Sequence, residues 1–328
     1  MPREVVIGLN AVIVAVTDEA PRLLAVREPG HRLGGRDGEW SLPFGPLEPD
    51  ADRTLELALR GWVRAQTGLG LGYVEQLYTF GNRDRDPAER AGGPRVISIA
   101  YLALVREAPP SGAAGASWLD VYDFLPWEDW RDGRPSVIEE SIAPALDRWV
   151  EAVPAERSQR RERADIAFGL GGAPWNGERV LDRYELLYEV EKVAEAKRDR
   201  TGETTLRRGK AGGEATLGRA MALDHRRILA SALGRLRGKL RYRPVVFETL
   251  SSAFTLSRLQ RTVEALAGVR LHKQNFRRLV EQGGLVEGTG QVETRTGGRP
   301  AGLFRFRRDV LRERPAPGVG LPGTRHPG

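Results

Sequence analysis

The sequence predicts an α/β sandwich of about 150 residues, then a helical connector, then a carboxy-terminal winged helix-turn-helix domain. Three observations lead there. Apolar strand-like runs at residues 5–16, 22–27, 74–80 and 95–105 are interrupted by one helical pattern and followed by another. A charge-dense stretch broken by Gly and Pro then separates this half from the rest. Beyond residue 240, three short amphipathic patterns lead into a basic, glycine-rich hairpin.

In chain order, residues 5–16 and 22–27 read as strands divided by a turn at 17–21. Residues 40–44 form a short strand that opens into the Gly/Pro/Asp loop 45–52. Over 53–67, Leu55, Ala58, Leu59, Trp62 and Val63 recur at helical spacing, and Gly68 supplies a C-cap. Two more strands, 74–80 and 95–105, flank the polar loop 81–94. Ser136 is placed to cap a second helix with Ile138, Ile142, Leu146, Trp149 and Val153 on one face. These elements set the first domain at residues 1–153.

Residues 154–240 form the connector. Residues 157–165 read as a charged helix, and 169–177 as a Gly/Pro break. Val180, Leu181, Tyr184, Leu187, Tyr188 and Val193 outline an amphipathic helix. Residues 201–213 are polar and contain Gly, the composition of an exposed loop. A further helix is expected over 217–240, with Met221, Ile228, Leu229, Leu236 and Leu240 on one side and a share in a dimer interface. The Pro/Gly-rich tail, 315–328, is expected to fray.

Composition excludes several classes. Cysteine is absent, which removes disulfides, thiolate nucleophiles, Fe–S clusters and Cys-based zinc sites. The four histidines are too widely spaced for a His-based metal site, and no catalytic or metal-ligating set emerges. The longest apolar run, residues 5–16, falls short of the roughly 18 residues that span a bilayer. No basic leader precedes an apolar segment, so a cytoplasmic protein without a membrane partner is expected. Charge is divided unevenly. Residues 1–150 hold 16 Lys+Arg against 23 Asp+Glu, residues 151–240 hold 19 against 14, and residues 241–314 hold 15 against 7. A polyanionic partner is therefore expected for the last domain alone.

In that domain, residues 241–314, Pro244 suits the first turn of a helix over 242–250. A second helix carries Leu256, Leu259, Val263 and Leu266 inward and ends at Gly268. A third turns Phe276, Leu279 and Val280 inward, leaving His272, Lys273, Gln274, Asn275, Arg277 and Arg278 outside. Arg295, Thr296 and Arg299 surround a glycine hairpin tip. Such chemistry suits double-stranded DNA: Arg pairs bidentately with guanine, and Asn or Gln with adenine, from early positions of a recognition helix. Arginines on a wing reach phosphates or the minor groove. The alternatives are a small helical domain with a solvated basic face and, after it, a basic domain that binds RNA.

The run Trp40-Ser41-Leu42-Pro43-Phe44-Gly45, then a loop and a helix ending Gln66-Thr67-Gly68-Leu69, resembles the Nudix hydrolase signature G-x5-E-x7-R-E-U-x-E-E-x-G-U. In that signature, glutamates on one helix hold Mg²⁺ against a diphosphate. Anchored at Gly68, the comparison puts Gly61 and Trp62 at the Arg-Glu pair, Ala65 and Gln66 at the metal-binding glutamates, and Arg53 at the first glutamate. Every helix carboxylate is replaced. Further likeness lies in residues 75–81, the 83–87 loop, residues 96–102, Asp224-His225-Arg226 and the whole of 242–306. Together these resemble the Nudix-related transcriptional regulators of NAD metabolism, in the proteobacterial branch of NAD-biosynthesis regulators.

The resemblance implies a homodimeric repressor on a palindromic operator. Its Nudix-like domain would sense an adenine nucleotide, ADP-ribose or ATP, with no cofactor required. Arg27, Arg36, Arg83 and Arg85 are the candidates to meet phosphates; Trp40, Phe44, Tyr78 and Phe80 are those to stack on adenine. The rival reading is an active nucleoside diphosphate hydrolase using displaced carboxylates, among them Glu48, Asp50, Asp52 and Glu56.

Overall fold

The structure, a computed structural model, describes residues 4–27, 39–83, 85–86, 89, 92–112, 115–201, 216–294 and 300–319. Its first half is a mixed sheet. Strand β1 (Val5–Thr17) pairs antiparallel with β2 (Ala20–Ala25) and β3 (Phe44–Pro46), and parallel with β5 (Arg95–Leu104). With β4 (Tyr73–Phe80) and β6 (Ser117–Asp120) at the edges, the order is β4-β5-β1-β2-β6. Alternation along β1 makes two faces. Leu9, Ala11, Ile13 and Ala15 pack with Ala58, Leu59 and Val63 of helix α1 (Leu55–Thr67), whereas Val12 and Val14 join a larger cluster on the other side. Thr54 caps α1 by accepting the Leu57 N–H, and Gly68 ends it at φ 74°.

The far face is covered by α2 (Val121–Phe124), a π-turn at Ile138–Ile142 running into α3 (Ala143–Glu151), and the connector helices. Ser136 is itself helical rather than a cap; the chain enters that helix at Pro135, whose carbonyl accepts the Ile138 N–H at 3.0 Å. The connector contains α4 (Arg157–Phe168), α5 (Val180–Glu189), α6 (Ala194–Thr201) and α7 (His225–Tyr242). The expected loop at 201–213 is helical at its first residue, and the remainder lies outside the described residues.

The helix expected over 217–240 begins only at His225. Gly218 at φ 67° and Leu223 at φ 50° hold the preceding segment in the left-handed region, although Leu217 and Met221 are buried. Both sides of α7 are committed within the chain: Ile228, Leu229, Ala232, Leu233, Leu236 and Leu240 are all buried. It therefore offers little area to a second copy, contrary to the dimer role expected for it.

The last domain starts with a 3-10 turn, Val245–Thr249, where a full helix over 242–250 was expected. α7 runs on to Tyr242, and Pro244 leaves only one turn before extended Leu250. Then come α8 (Leu256–Ala267), α9 (Lys273–Gln282), strands β7 (Val286–Glu293) and β8 (Ala301–Phe306), and one turn of α10 (Val310–Glu313). Phe254 and Phe304 exchange backbone hydrogen bonds of 2.9 and 2.8 Å, an isolated bridge that ties the segment before α8 to β8. The tail is not frayed at its start. Val319 is 2% exposed and donates its N–H to the Leu240 carbonyl, while residues 320–328 lie outside the described residues.

The expected domain borders at 153 and 240 do not divide the core. One apolar cluster runs from Val12 through Trp127, Leu187 and Leu233 to Val263 and Val310. At its centre, Glu128 accepts from Arg183 (2.5 and 2.8 Å) and from Arg237 (2.5 Å). Arg237 also donates to the Leu266 carbonyl, and the Tyr122 hydroxyl donates to the Ala265 carbonyl at 2.7 Å. The last carbonyls of α8 are thereby bound to the sandwich and to α7. Gly268 completes the junction: at φ 70° it accepts from Trp130 N–H at 2.7 Å, and a Cβ there would lie 2.4 Å from the Glu128 carbonyl oxygen.

Candidate functional site

The helix that carries Mg²⁺ ligands in Nudix enzymes is closed here by its own side chains. Gln66, buried, donates to the Phe44 carbonyl at 2.7 Å and accepts the Phe44 N–H at 3.1 Å. Trp62 donates to the Pro46 carbonyl and lies against Gly45, where a Cβ would sit 2.1 Å from the indole. Ala65 and Arg53 are exposed and supply no carboxylate. Two of the displaced acids are engaged: Asp52 accepts the Glu48 N–H, and Glu56 is paired with Arg60 at 2.7 Å; Glu48 and Asp50 are exposed. Among the described residues, no group of three or more His, Asp or Glu side chains could hold a metal ion. This donor set does not fit a hard divalent cation.

Four residues expected at an effector site gather where residues 40–44 meet residues 222–225. Arg27, exposed, stacks 4.0 Å over the Trp40 ring. The Trp40 carbonyl accepts from Ala222, and Leu42 N–H donates to His225 Nδ1 at 3.1 Å. Phe44 meets the His225 ring edge-on at 5.2 Å. Arg85 reaches the same place but is used up structurally: it donates twice to Asp224 and once to Ser98 Oγ at 2.6 Å. Its guanidinium is not open to a phosphate, contrary to expectation. Phe44 and Phe80 are each 6% exposed and serve as core, so neither ring presents a stacking face. Tyr78 is 64% exposed and stands edge-on to Phe80, beside a groove formed with Leu181 and Ser231 rather than beside Trp40. Arg83 is exposed, and Arg36 lies outside the described residues.

In the last domain, α9 projects from the turn after α8. Phe276 and Val280 anchor it, and Leu279 is half-buried. Lys273, Gln274, Asn275, Arg277 and Arg278 are all exposed on its outer face. Arg295, Thr296 and Arg299 fall outside the described residues, between the ends of β7 and β8. Residues 246–306 match the family described as the NrtR DNA-binding winged helix domain. This part of the chain is similar to that winged helix domain. Within it the chain runs through a 3-10 turn, two helices and a pair of strands.

Over 86 residues the chain is 40% identical to the ADPR responsive transcriptional repressor NtrR of Acinetobacter baylyi. That segment is 26% of this chain, and the chain spans only about a third (34%) of the relative's length. Among solved structures, Shewanella oneidensis NrtR complexed with a 27mer DNA superposes with a TM-score of 0.56 at 21% identity, covering 93% of this chain and 95% of that one. A MutT/nudix family protein from Enterococcus faecalis gives 0.55 at 16% identity, over 94% and 88%. The fold is thus that of these two proteins, a Nudix-like sandwich followed by a winged helix.

Sequence reading missed the polar core that joins the two parts. Arg183, Arg226 and Arg237 are buried, and their carboxylate partners Glu128 and Glu195 are as well. Burial alone would raise the Glu128 carboxyl, but the two guanidinium groups outweigh it and hold it below the ordinary range. Burial pushes the Tyr122 phenol up to about 12, so it stays protonated as a donor to helix α8.

Proposed function

We propose that this protein is a nucleotide-responsive transcriptional repressor that binds a palindromic operator as a homodimer in the cytoplasm and controls genes of NAD biosynthesis or salvage. The match of residues 246–306 to a DNA-binding winged helix, with five polar or cationic side chains exposed on α9, carries the reading. Asn275 and Arg278, one helical turn apart, meet base edges, with Asn275 the deeper of the two. Lys273, Gln274 and Arg277 hold the backbone, and Arg295, Thr296 and Arg299 extend the contact from the wing.

The Nudix domain senses rather than hydrolyses. The name of the Acinetobacter relative supports ADP-ribose as the effector, with ATP the other adenine nucleotide to be compared. Arg27 with Trp40 offers a cation beside an aromatic face, and Arg83 a second exposed cation, so these three are the proposed effector contacts. Gln66 and Trp62 in place of carboxylates support a domain without turnover.

The test is selection of a duplex from a randomised pool, then fluorescence anisotropy on that duplex and a scrambled one. The parent discriminates between them; Asn275→Ala loses about 1–3 kcal/mol of that discrimination at one position. A parent that binds both duplexes alike contradicts the reading.

A further inference from the structure

The turn between α8 and α9 is held by two side chains that DNA contact does not require. Leu271 is buried, two positions before the first residue of α9. Gln260 and Glu264, one helical turn apart on α8, grip both of its backbone polar groups. Gln260 Nε2 donates to the Leu271 carbonyl at 2.9 Å, and the Leu271 N–H donates to Glu264 Oε1 at 2.9 Å. Gln260 Nε2 also donates to the same Glu264 oxygen at 2.8 Å, and Arg270 donates to Oε2 at 3.3 Å. Glu264 is buried, an unusual place for a carboxylate whose ion pair among the described residues is with a half-exposed arginine.

The clamp acts beside the Trp130–Gly268 backbone bond and the buried Val269 at the same turn. His272, the N-cap of α9, makes no side-chain capping bond, so nothing at the helix start itself fixes its direction. Gly268 ends α8 in the left-handed region, leaving residues 269–271 to set the angle between the helices. Holding the N–H and the carbonyl of one peptide residue together fixes both the position and the rotation of the chain there. Apolar packing of Phe276 and Val280 is non-directional and fixes neither.

We infer that Gln260 and Glu264 are positioning residues for sequence discrimination: they set the orientation in which α9 presents Lys273–Arg278. The inference rests on the reading of α9 as the DNA-reading helix. A helix turned by a few degrees keeps its charge, and with it most of its phosphate attraction, but loses bidentate base geometry. Loss of the clamp therefore lowers specificity more than affinity.

The experiment uses the full chain, the duplex selected by the parent from a randomised pool, and a scrambled duplex of equal composition. Glu264→Ala and Gln260→Ala, each shown folded by thermal unfolding, should lower the ratio of selected to scrambled affinity by about tenfold. The salt slope should stay that of the parent. Glu264→Gln keeps an oxygen that can accept the Leu271 N–H, and it should restore most of the ratio. A purely structural role would lower the unfolding temperature and leave the ratio intact; that outcome overturns the inference. Amide hydrogen exchange at Leu271 supplies a reading independent of DNA: protection is lost in Glu264→Ala and kept in Glu264→Gln. Unchanged protection in Glu264→Ala also overturns the clamp. If the clamp behaves as described and the parent shows no preference for any duplex, the DNA reading fails instead and takes the inference with it.

Discussion

Arg85, in the loop between β4 and β5, and Asp224, the residue before α7, form a two-pronged ion pair between segments 139 positions apart, with side chains only 3% and 10% exposed. Beside it, His225 accepts the Leu42 N–H, so the start of α7 is tied to the edge of the Nudix sheet at two points. The other end of α7 carries Arg237, which donates to the Leu266 carbonyl of α8 and to the Glu128 carbonyl. One 18-residue helix thus has the proposed effector contacts Arg27 and Trp40 near its beginning and the winged helix beyond its end.

That pair should be strongly coupled. Arg85→Ala and Asp224→Ala, measured singly and together by thermal or denaturant unfolding, should show an interaction energy of about 1–3 kcal/mol. Additive losses would mean that the pair does not act as a unit.

Removing Glu128 leaves two guanidinium groups buried without their carboxylate. Glu128→Ala should cost about 3–5 kcal/mol, seen as a large fall in unfolding temperature. Tyr122→Phe should cost about 1 kcal/mol through the lost bond to Ala265, without a change in the wing.

Acid should weaken the same junction. A carboxyl held below its ordinary value stabilises the fold above the unfolded value of about 4.5, and loses that contribution as pH falls through the lowered folded value. The difference in unfolding temperature between the parent and Glu128→Gln should be constant near neutrality and shrink below about pH 4.5. A difference independent of pH down to acid unfolding would show that Glu128 is not ionised in the fold.

Incubation with ADP-ribose and Mg²⁺ should yield no AMP, because Gln66 and Trp62 occupy the positions of metal-holding and catalytic carboxylates. Steady Mg²⁺-dependent turnover abolished by Asp50→Asn or Glu56→Gln would favour the hydrolase reading.

Much of this fold was legible locally. The 3.6-residue spacing with Gly68 marks α1, and the same spacing with Gly268 marks α8, because a glycine C-cap leaves a chemical signature in the chain itself. β6 was not legible: Ser117–Asp120 is only four residues long and half-buried throughout, so it carries no alternation. Leu217 and Met221 imitate the period of α7 because both are buried, yet the backbone between them turns left-handed. The site suffered from the same limit. Arg85, Arg183 and Arg237 look like solvated charges until their partners, 139, 55 and 109 positions away, are brought to them by the fold. Phe44 and Phe80 look equally suited to a ligand or to a core, and only packing decides between them.

The central claim is that a nucleotide held by the Nudix domain alters DNA binding by the winged helix. Titration of the selected duplex, followed by fluorescence anisotropy with and without saturating ADP-ribose, tests it most directly. The account predicts a change in DNA affinity of about fivefold or more, and linkage then requires that DNA change the affinity for ADP-ribose by the same factor. Superimposable isotherms, with ADP-ribose shown to be bound by its effect on thermal unfolding, would contradict it.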